Sequence, residues 1–372
     1  MAKHPHPNPL RWERGPELLD TSFLRGTLIT LSPPPNASVE RRDSYHALMS
    51  EAGHLPVMAE QVLGLLDPQP GMICLDCTVG RGGHATLVAP RLGPAGRLIG
   101  IDLDSANLEF VRDRLGGCLP ALDLVHSDFR EAHAALAELG VSQVDLILAD
   151  LGFSSSQMDD PQRGFSFSHE GPLDMRLDRS RKLTAAELVN RLPEKQLANL
   201  IWEYGEERAS RKIARKIVEC RRQAPIDTTL QLAQIVRQAC GRLRTSGPGR
   251  RNKPAGRPRI DVATRTFMAL RIAVNDELEA LRQFLGRMPQ LLRPGGKAVL
   301  ISFHSLEDRQ VKQAFMALKR QRTAEWLTKG PLTADRGQRD GNPRSRSAKL
   351  RAIRMIAAVA PSDGSASPRR LT

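Results

Sequence analysis

The chain has 372 residues, 40% of them hydrophobic, enough to bury a sizeable core in one large domain or in a domain carrying a second one as an insertion. Its formal charge of +14 and pI near 10.2 point to a polyanionic partner, nucleic acid first. Five cysteines (Cys74, Cys77, Cys118, Cys220, Cys240) lack the dense spacing of a secreted disulfide scaffold. No apolar stretch approaches the ~20 residues that span a bilayer, so the expectation is a cytoplasmic protein without membrane contact.

Residues 1–53 read as an irregular extension outside the core, with His-Pro repeats, a Pro33-Pro34-Pro35 run and no sustained period of 2 or 3.6. From 54 to 159 short apolar runs alternate with amphipathic stretches, the mark of βα units around a parallel sheet. The runs Met72 to Asp76, Arg97 to Asp102, Leu122 to Asp128 and Val144 to Asp150 are the expected strands, and each ends in an acid. Ligands of open α/β sheets lie beyond the carboxyl ends of the strands, so these acids converge on the binding rim.

From 160 to 260 the alternation gives way to basic helices and loops, read as an inserted helical substrate-recognition domain. Thr184-x-x-Glu187 and Thr228-x-x-Gln231 have capping-box spacing. Ile213, Ile217 and Cys220 give one helix an apolar stripe, while Arg208, Arg211, Lys212, Arg215, Lys216, Arg221 and Arg222 crowd the rest of it. Residues 242–259 are Gly/Pro-rich and basic, read as a phosphate-contacting loop. The sheet pattern resumes over 261–360: Arg293-Pro-Gly-Gly-Lys297 feeds a strand from Ala298 to Phe303, a helix starts near Leu306, and Lys349 to Ala360 supplies a last strand. Residues 361–372 form a Ser/Pro/Arg-rich tail.

Asp76-Cys-Thr-Val-Gly80-Arg-Gly82-Gly83-His84 joins the first strand to a helix. Glycines let the backbone pass close to a ligand there. The acid at the strand end is available to an amino group, which favours the methionine part of S-adenosylmethionine over a pyrophosphate. Asp102, twenty residues after Gly82, lies where an acid reaches ribose hydroxyls, with Asp104 as its neighbour. Asp128 is placed to accept from an adenine amine and Phe129 to cover the ring. Asp150-Leu151-Gly152-Phe153 partly matches the D/N-P-P-aromatic loop of amino-group methyltransferases. Its carboxylate would restore nucleophilicity to a delocalised exocyclic amine, and its aromatic would hold the base plane. Cys74 and Cys77 form a C-x-x-C without a second pair, so buried thiols are favoured over zinc, and no metal site is expected.

In order along the chain, His54-Leu-Pro-Val-Met58, Gly80-Arg-Gly-Gly-His84, Asp150-Leu-Gly-Phe-Ser-Ser155, Arg163-Gly-Phe-Ser-Phe167, Gly171-Pro-Leu-Asp-Met-Arg176, Tyr204-Gly-Glu-Glu-Arg208, Ala263-Thr-Arg-Thr-Phe267, Arg271-Ile-Ala-Val-Asn275 and Ser302-Phe-His-Ser-Leu-Glu-Asp-Arg309 resemble the blocks of the bacterial MraW family of small-subunit ribosomal RNA methyltransferases. The resemblance runs from His54 to about Arg354. It implies a class I, Rossmann-like α/β fold, doubly wound, with an inserted helical domain. It also implies N(4)-methylation of a cytidine in the decoding region of 16S rRNA, acting on the small ribosomal subunit and not on DNA. Carried over residue by residue, it puts S-adenosylmethionine contacts on Gly82, Gly83, His84, Asp102, Phe129, Asp150 and Gln157. Asp76 and Gly80 join them from the loop reading. Asp150, Phe153 and His304 are the expected catalytic residues, although Ser305-x-x-Asp308 has the spacing of a simple helix cap. The rival readings are an amino methyltransferase of DNA or protein and a non-catalytic RNA-binding assembly factor.

Overall fold

Strand pairing in the computed structural model, which describes residues 27–31, 56–117, 120–152, 155–241 and 261–356, follows from the apolar runs. β1 (Thr27–Leu31), β2 (Ile73–Asp76), β3 (Arg97–Asp102), β4 (Ala121–His126), β5 (Val144–Asp150), β6 (Leu292–Ser302), β7 (Ala324–Trp326), β8 (Leu332–Thr333) and β9 (Lys349–Met355) form one sheet. Its order is β1-β4-β3-β2-β5-β6-β9-β7, with β8 paired to β9. The five central strands, β4 to β6 in that order, are parallel, whereas β1, β7, β8 and β9 pair antiparallel.

Period-2 alternation within strands that are buried on both faces makes this a three-layer unit. On one face Leu75, Ile99, Ile147 and Leu300 pack against the helices Ala132–Glu138, Glu277–Leu291 and Ser305–Arg320. On the other, Leu98, Leu124, Leu148 and Val299 meet Ala59–Leu66, Gly83–Leu92 and Ser105–Leu115. Cys74 belongs to the second core, and Leu75 and Cys77 belong to the first. The two thiols of the C-x-x-C therefore leave the strand on opposite faces and share no metal or disulfide. Burial pushes both well above the ordinary thiol range.

Two compact units emerge. One draws on Arg25–Gly152 and Leu278–Thr372, the other on Phe153–Glu277. The second is the helical one and is wider than the 160–260 expected, because the helix Ala263–Asn275 sends Ala263, Phe267, Leu270 and Val274 into its core. That core also gathers apolar residues of Ala185–Arg191, Glu194–Gly205, Ser210–Arg221 and Thr229–Ala239. Thr184 with Glu187 and Thr228 with Gln231 form the two expected capping boxes.

The expectation that 1–53 is irregular is corrected at Thr27–Leu31, an edge strand whose five residues pair with His126 back to Leu122. An edge strand needs only backbone hydrogen bonds on one side, so it leaves little trace in apolar periodicity. The remainder of 1–53, the loop 242–259 and the tail 361–372 lie outside the described residues, as do Cys118 and Phe153. No described helix is long and apolar enough to cross a membrane.

Candidate active site

The sheet runs outward from β2 in two directions, through β3 and β4 on one side and through β5 and β6 on the other. The connection reverses between β2 and β5, which places a topological switch point at their carboxyl ends, where open α/β sheets bind ligands. Asp76 closes β2, Asp102 closes the neighbouring β3, and Asp150 closes β5. Three of the four predicted acids thus stand on three consecutive strands.

The fourth does not. β4 ends at His126, and Asp128 lies two residues further on, capping the short helical turn Phe129–Glu131. One of its carboxylate oxygens accepts from the Arg130 amide at 3.0 Å and the other from Arg130 Nε at 2.9 Å. Phe129 is half-buried and stacks edge-to-face on Phe284, ring centroids 5.5 Å apart, which fixes its ring.

The loop after β2 is tied down on both sides. Asp150 N–H donates to Thr78 Oγ1 at 2.7 Å, and Gly80 N–H donates to Asp102 Oδ2 at 2.8 Å. Gly82 has φ +77°, and a Cβ there would come within 3.2 Å of Val111 Cγ2. Only glycine meets both demands. The helix Gly83–Leu92 starts directly afterwards with no side-chain cap, so its first N–H groups are open to an anionic group.

Asp102 Oδ1 accepts from Asp104 N–H at 2.9 Å and from Asn107 Nδ2 at 3.2 Å. Burial raises its pKa, and those hydrogen bonds with that of Gly80 pull it back. Oδ2 keeps a lone pair for a hydroxyl donor. Asp104 instead caps the helix Ser105–Leu115. Asp76 is 2% exposed and accepts from Thr78 N–H at 3.1 Å. Burial pushes its pKa up to about 7; His84 and the Thr78 amide oppose the rise, while Asp150 and Asp102 add to it. A cationic ligand would relieve this crowding of negative charge.

His84 lies on the second residue of the helix and is 6% exposed. Its Nε2 stands 3.6 Å from Asp150 Oδ2, beyond hydrogen-bonding distance. Both imidazole nitrogens and Asp150 Oδ1 are buried without a hydrogen-bond partner. Orphaned polar atoms at a strand-end rim are what a polar ligand would satisfy.

His304 follows β6 and caps the helix Ser305–Arg320, its Nδ1 accepting from Glu307 N–H at 3.4 Å. Glu307 Oε2 accepts in return from the amides of Phe303 and His304, and His304 Nε2 lies 3.1 Å from Glu307 Oε1. The cap is therefore His304 with Glu307, not Ser305 with Asp308, and Asp308 is held instead by Arg351 at 2.7 Å and Lys349 at 3.2 Å. Gln157 is buried in the helix Ser155–Asp159 of the other unit. Thr78 and Asn107, which position Asp150 and Asp102, were missed by sequence reasoning. Their signal was local: a hydroxyl two residues past one strand-end acid, and an amide five past the other.

The sequence profile of the MraW methylase family matches residues 51–356. The chain belongs to this family. Three relatives are called ribosomal RNA small subunit methyltransferase H. The one from Sorangium cellulosum is 46% identical over 303 residues, covering 82% of this chain and 91% of that protein. That of Pelobacter propionicus is 46% identical over 319 residues, covering 82% and 98%. That of Geobacter sp. strain M21 is 42% identical over 323 residues, covering 83% and 100%. The cofactor of this MraW methylase is S-adenosylmethionine. The rim fits it: acids for an ammonium and for ribose hydroxyls, and an uncapped helix N-terminus for a carboxylate.

Proposed function

We propose that this chain methylates the N(4) amine of a cytidine in the decoding region of 16S rRNA, as a small-subunit ribosomal RNA methyltransferase. Family membership and the names of its relatives support the ribosomal substrate. The observation that carries the chemistry is Asp150, a strand-end carboxylate at the switch point with one buried, unpartnered oxygen. An exocyclic amine is a weak nucleophile because its lone pair is delocalised into the ring. A carboxylate accepting one of its N–H bonds localises that pair and opposes the positive charge that grows on nitrogen.

S-adenosylmethionine, when bound, supplies an electrophilic methyl group on a cationic sulfur. The chain's residues do the rest. Asp76 is placed for an ammonium and Asp102 for hydroxyls, and Thr78 fixes the Asp150 backbone so that its carboxylate is aimed before the substrate arrives. Phe153 is assigned to hold the base plane, and Gln157 to contact the cofactor. His304 sets the start of the helix after β6.

The exposed side chains of Arg208, Arg211, Lys212, Arg215 and Arg222 supply phosphate contacts for the RNA. Methylated nucleotides mapped in small-subunit RNA from cells with and without the gene test the reading. Loss of a single N(4)-methylcytidine in the decoding region is expected, and an unchanged map overturns it. Methyl transfer to naked DNA or to protein, with none to small subunits, would favour the rival amino methyltransferase. No turnover with any of them would favour a non-catalytic assembly factor.

A further inference from the structure

His84 is 94% buried, yet neither ring nitrogen has a hydrogen-bond partner, and Nε2 lies 3.6 Å from Asp150 Oδ2. A structural histidine of this burial normally spends at least one nitrogen on a hydrogen bond. The titratable groups that face it are Asp76 from β2 and Asp150 from β5, with Asp102 coupled to Asp76 from β3. The imidazole also sits in the first turn of the helix Gly83–Leu92. The helix N-terminus repels positive charge and the carboxylates attract it, so the ring stands between opposed fields.

We propose that His84 is the final acceptor of the proton released by methyl transfer, taking it through Asp150. The inference rests on the amine-methylation reading above. The amine lone pair forms the new N–C bond, the C–S bond breaks with its electron pair left on sulfur, and nitrogen becomes cationic. One N–H proton then passes to Asp150 and on to Nε2 of His84, which loses it to solvent when product leaves. Asp150 is thereby returned to its acceptor form. His84 acts through Asp150 and is a positioning and proton-accepting residue.

The test is His84→Asn, which keeps size and hydrogen-bonding capacity but accepts no proton. At saturating S-adenosylmethionine, with its Kd measured separately by calorimetry, the single-turnover rate on small subunits should fall about a hundredfold, a loss that further cofactor does not restore. Added imidazole should restore part of the rate in His84→Ala, in proportion to the free base present. An unchanged rate overturns the proposal, as does a rate loss that imidazole cannot rescue or that a matching loss of cofactor affinity explains. Should these variants not fold, the wild type decides. Its single-turnover rate at saturating cofactor should fall on acidification, and a flat profile overturns the proposal. A wild type that methylates no small-subunit RNA defeats the functional reading itself; a wild type that does, beside fully active His84 variants, defeats only this step.

Discussion

In the sheet unit three carboxylates stand on adjacent strand ends, Asp76 buried and Asp102 and Asp150 half-buried, with the buried imidazole of His84 nearby. In the helical unit five cations, Arg208, Arg211, Lys212, Arg215 and Arg222, stay in solvent on or beside one helix, opposed on that helix by Glu219 alone. Charged side chains do different work in the two settings. A buried charge alters equilibria at one spot and resists salt, whereas an exposed one contributes little individually but sums over a polyanion and is screened. The contrast predicts that substitutions in the first region produce large, local, salt-independent effects, and that those in the second produce small, additive, salt-dependent ones.

The largest effect is expected at Asp150. Asp150→Asn keeps the shape and removes charge and basicity, so single-turnover methyl transfer at saturating cofactor should drop about a hundredfold or more. The loss should be the same at low and high salt. A near-normal rate would leave Asp150 as a spacer between β5 and the loop that follows.

Asp76 sharpens the contrast because its burial costs stability. Its pKa of about 7 lies above the ordinary 3.8, so the native protein holds a proton there that the unfolded chain gives up. The resulting stabilisation is fully present below about pH 4 and is lost as pH rises through about 7; a shift of this size corresponds to on the order of 4 kcal/mol. Asp76→Asn should therefore raise the melting temperature at pH 8 while weakening S-adenosylmethionine binding about tenfold to a hundredfold. Wild-type binding should tighten from pH 6 to pH 8, and the variant should lose that slope. Lower stability of the variant at pH 8 would show that the carboxylate is not strained by its burial.

The smallest effect belongs to the helical unit. Replacing Arg208, Arg211, Lys212 and Arg222 by glutamine should weaken RNA binding several-fold near physiological salt and flatten the log–log salt dependence by up to about 0.7–0.9 for each phosphate that is no longer neutralised. Cofactor affinity should not move. A salt slope equal to that of the wild type would make this face a solvated surface only.

What the sequence revealed follows the same division. Asp76, Asp102 and Asp150 were legible because a short apolar run stops at each of them. Asp128 was misread because extended apolar chain passes into a turn without a change of residue type, and the strand stops at His126. The two threonine capping boxes were legible from spacing alone. The histidine cap was hidden behind Ser305, a commoner cap residue. The helix Ala263–Asn275 shows its apolar stripe but not the core that receives it, so the boundary expected at 260 falls after Glu277. His84 was found by resemblance, since one histidine beside a glycine turn has no periodic signature.

The order of strands in space has a consequence for synthesis. β5 lies in the middle of the sheet, yet its partner β6 begins about 140 residues later in the chain, after the whole helical unit. At about 5–20 residues per second, a nascent chain carries the β6-facing edge of Val144–Asp150 unpaired for roughly seven to thirty seconds. β9, which then joins β6, β7 and β8, comes later still. An enzyme whose sheet is completed so late in translation presents an open strand edge to its neighbours on a polysome, and chaperone cover during that interval would bear directly on how much of it reaches the native state.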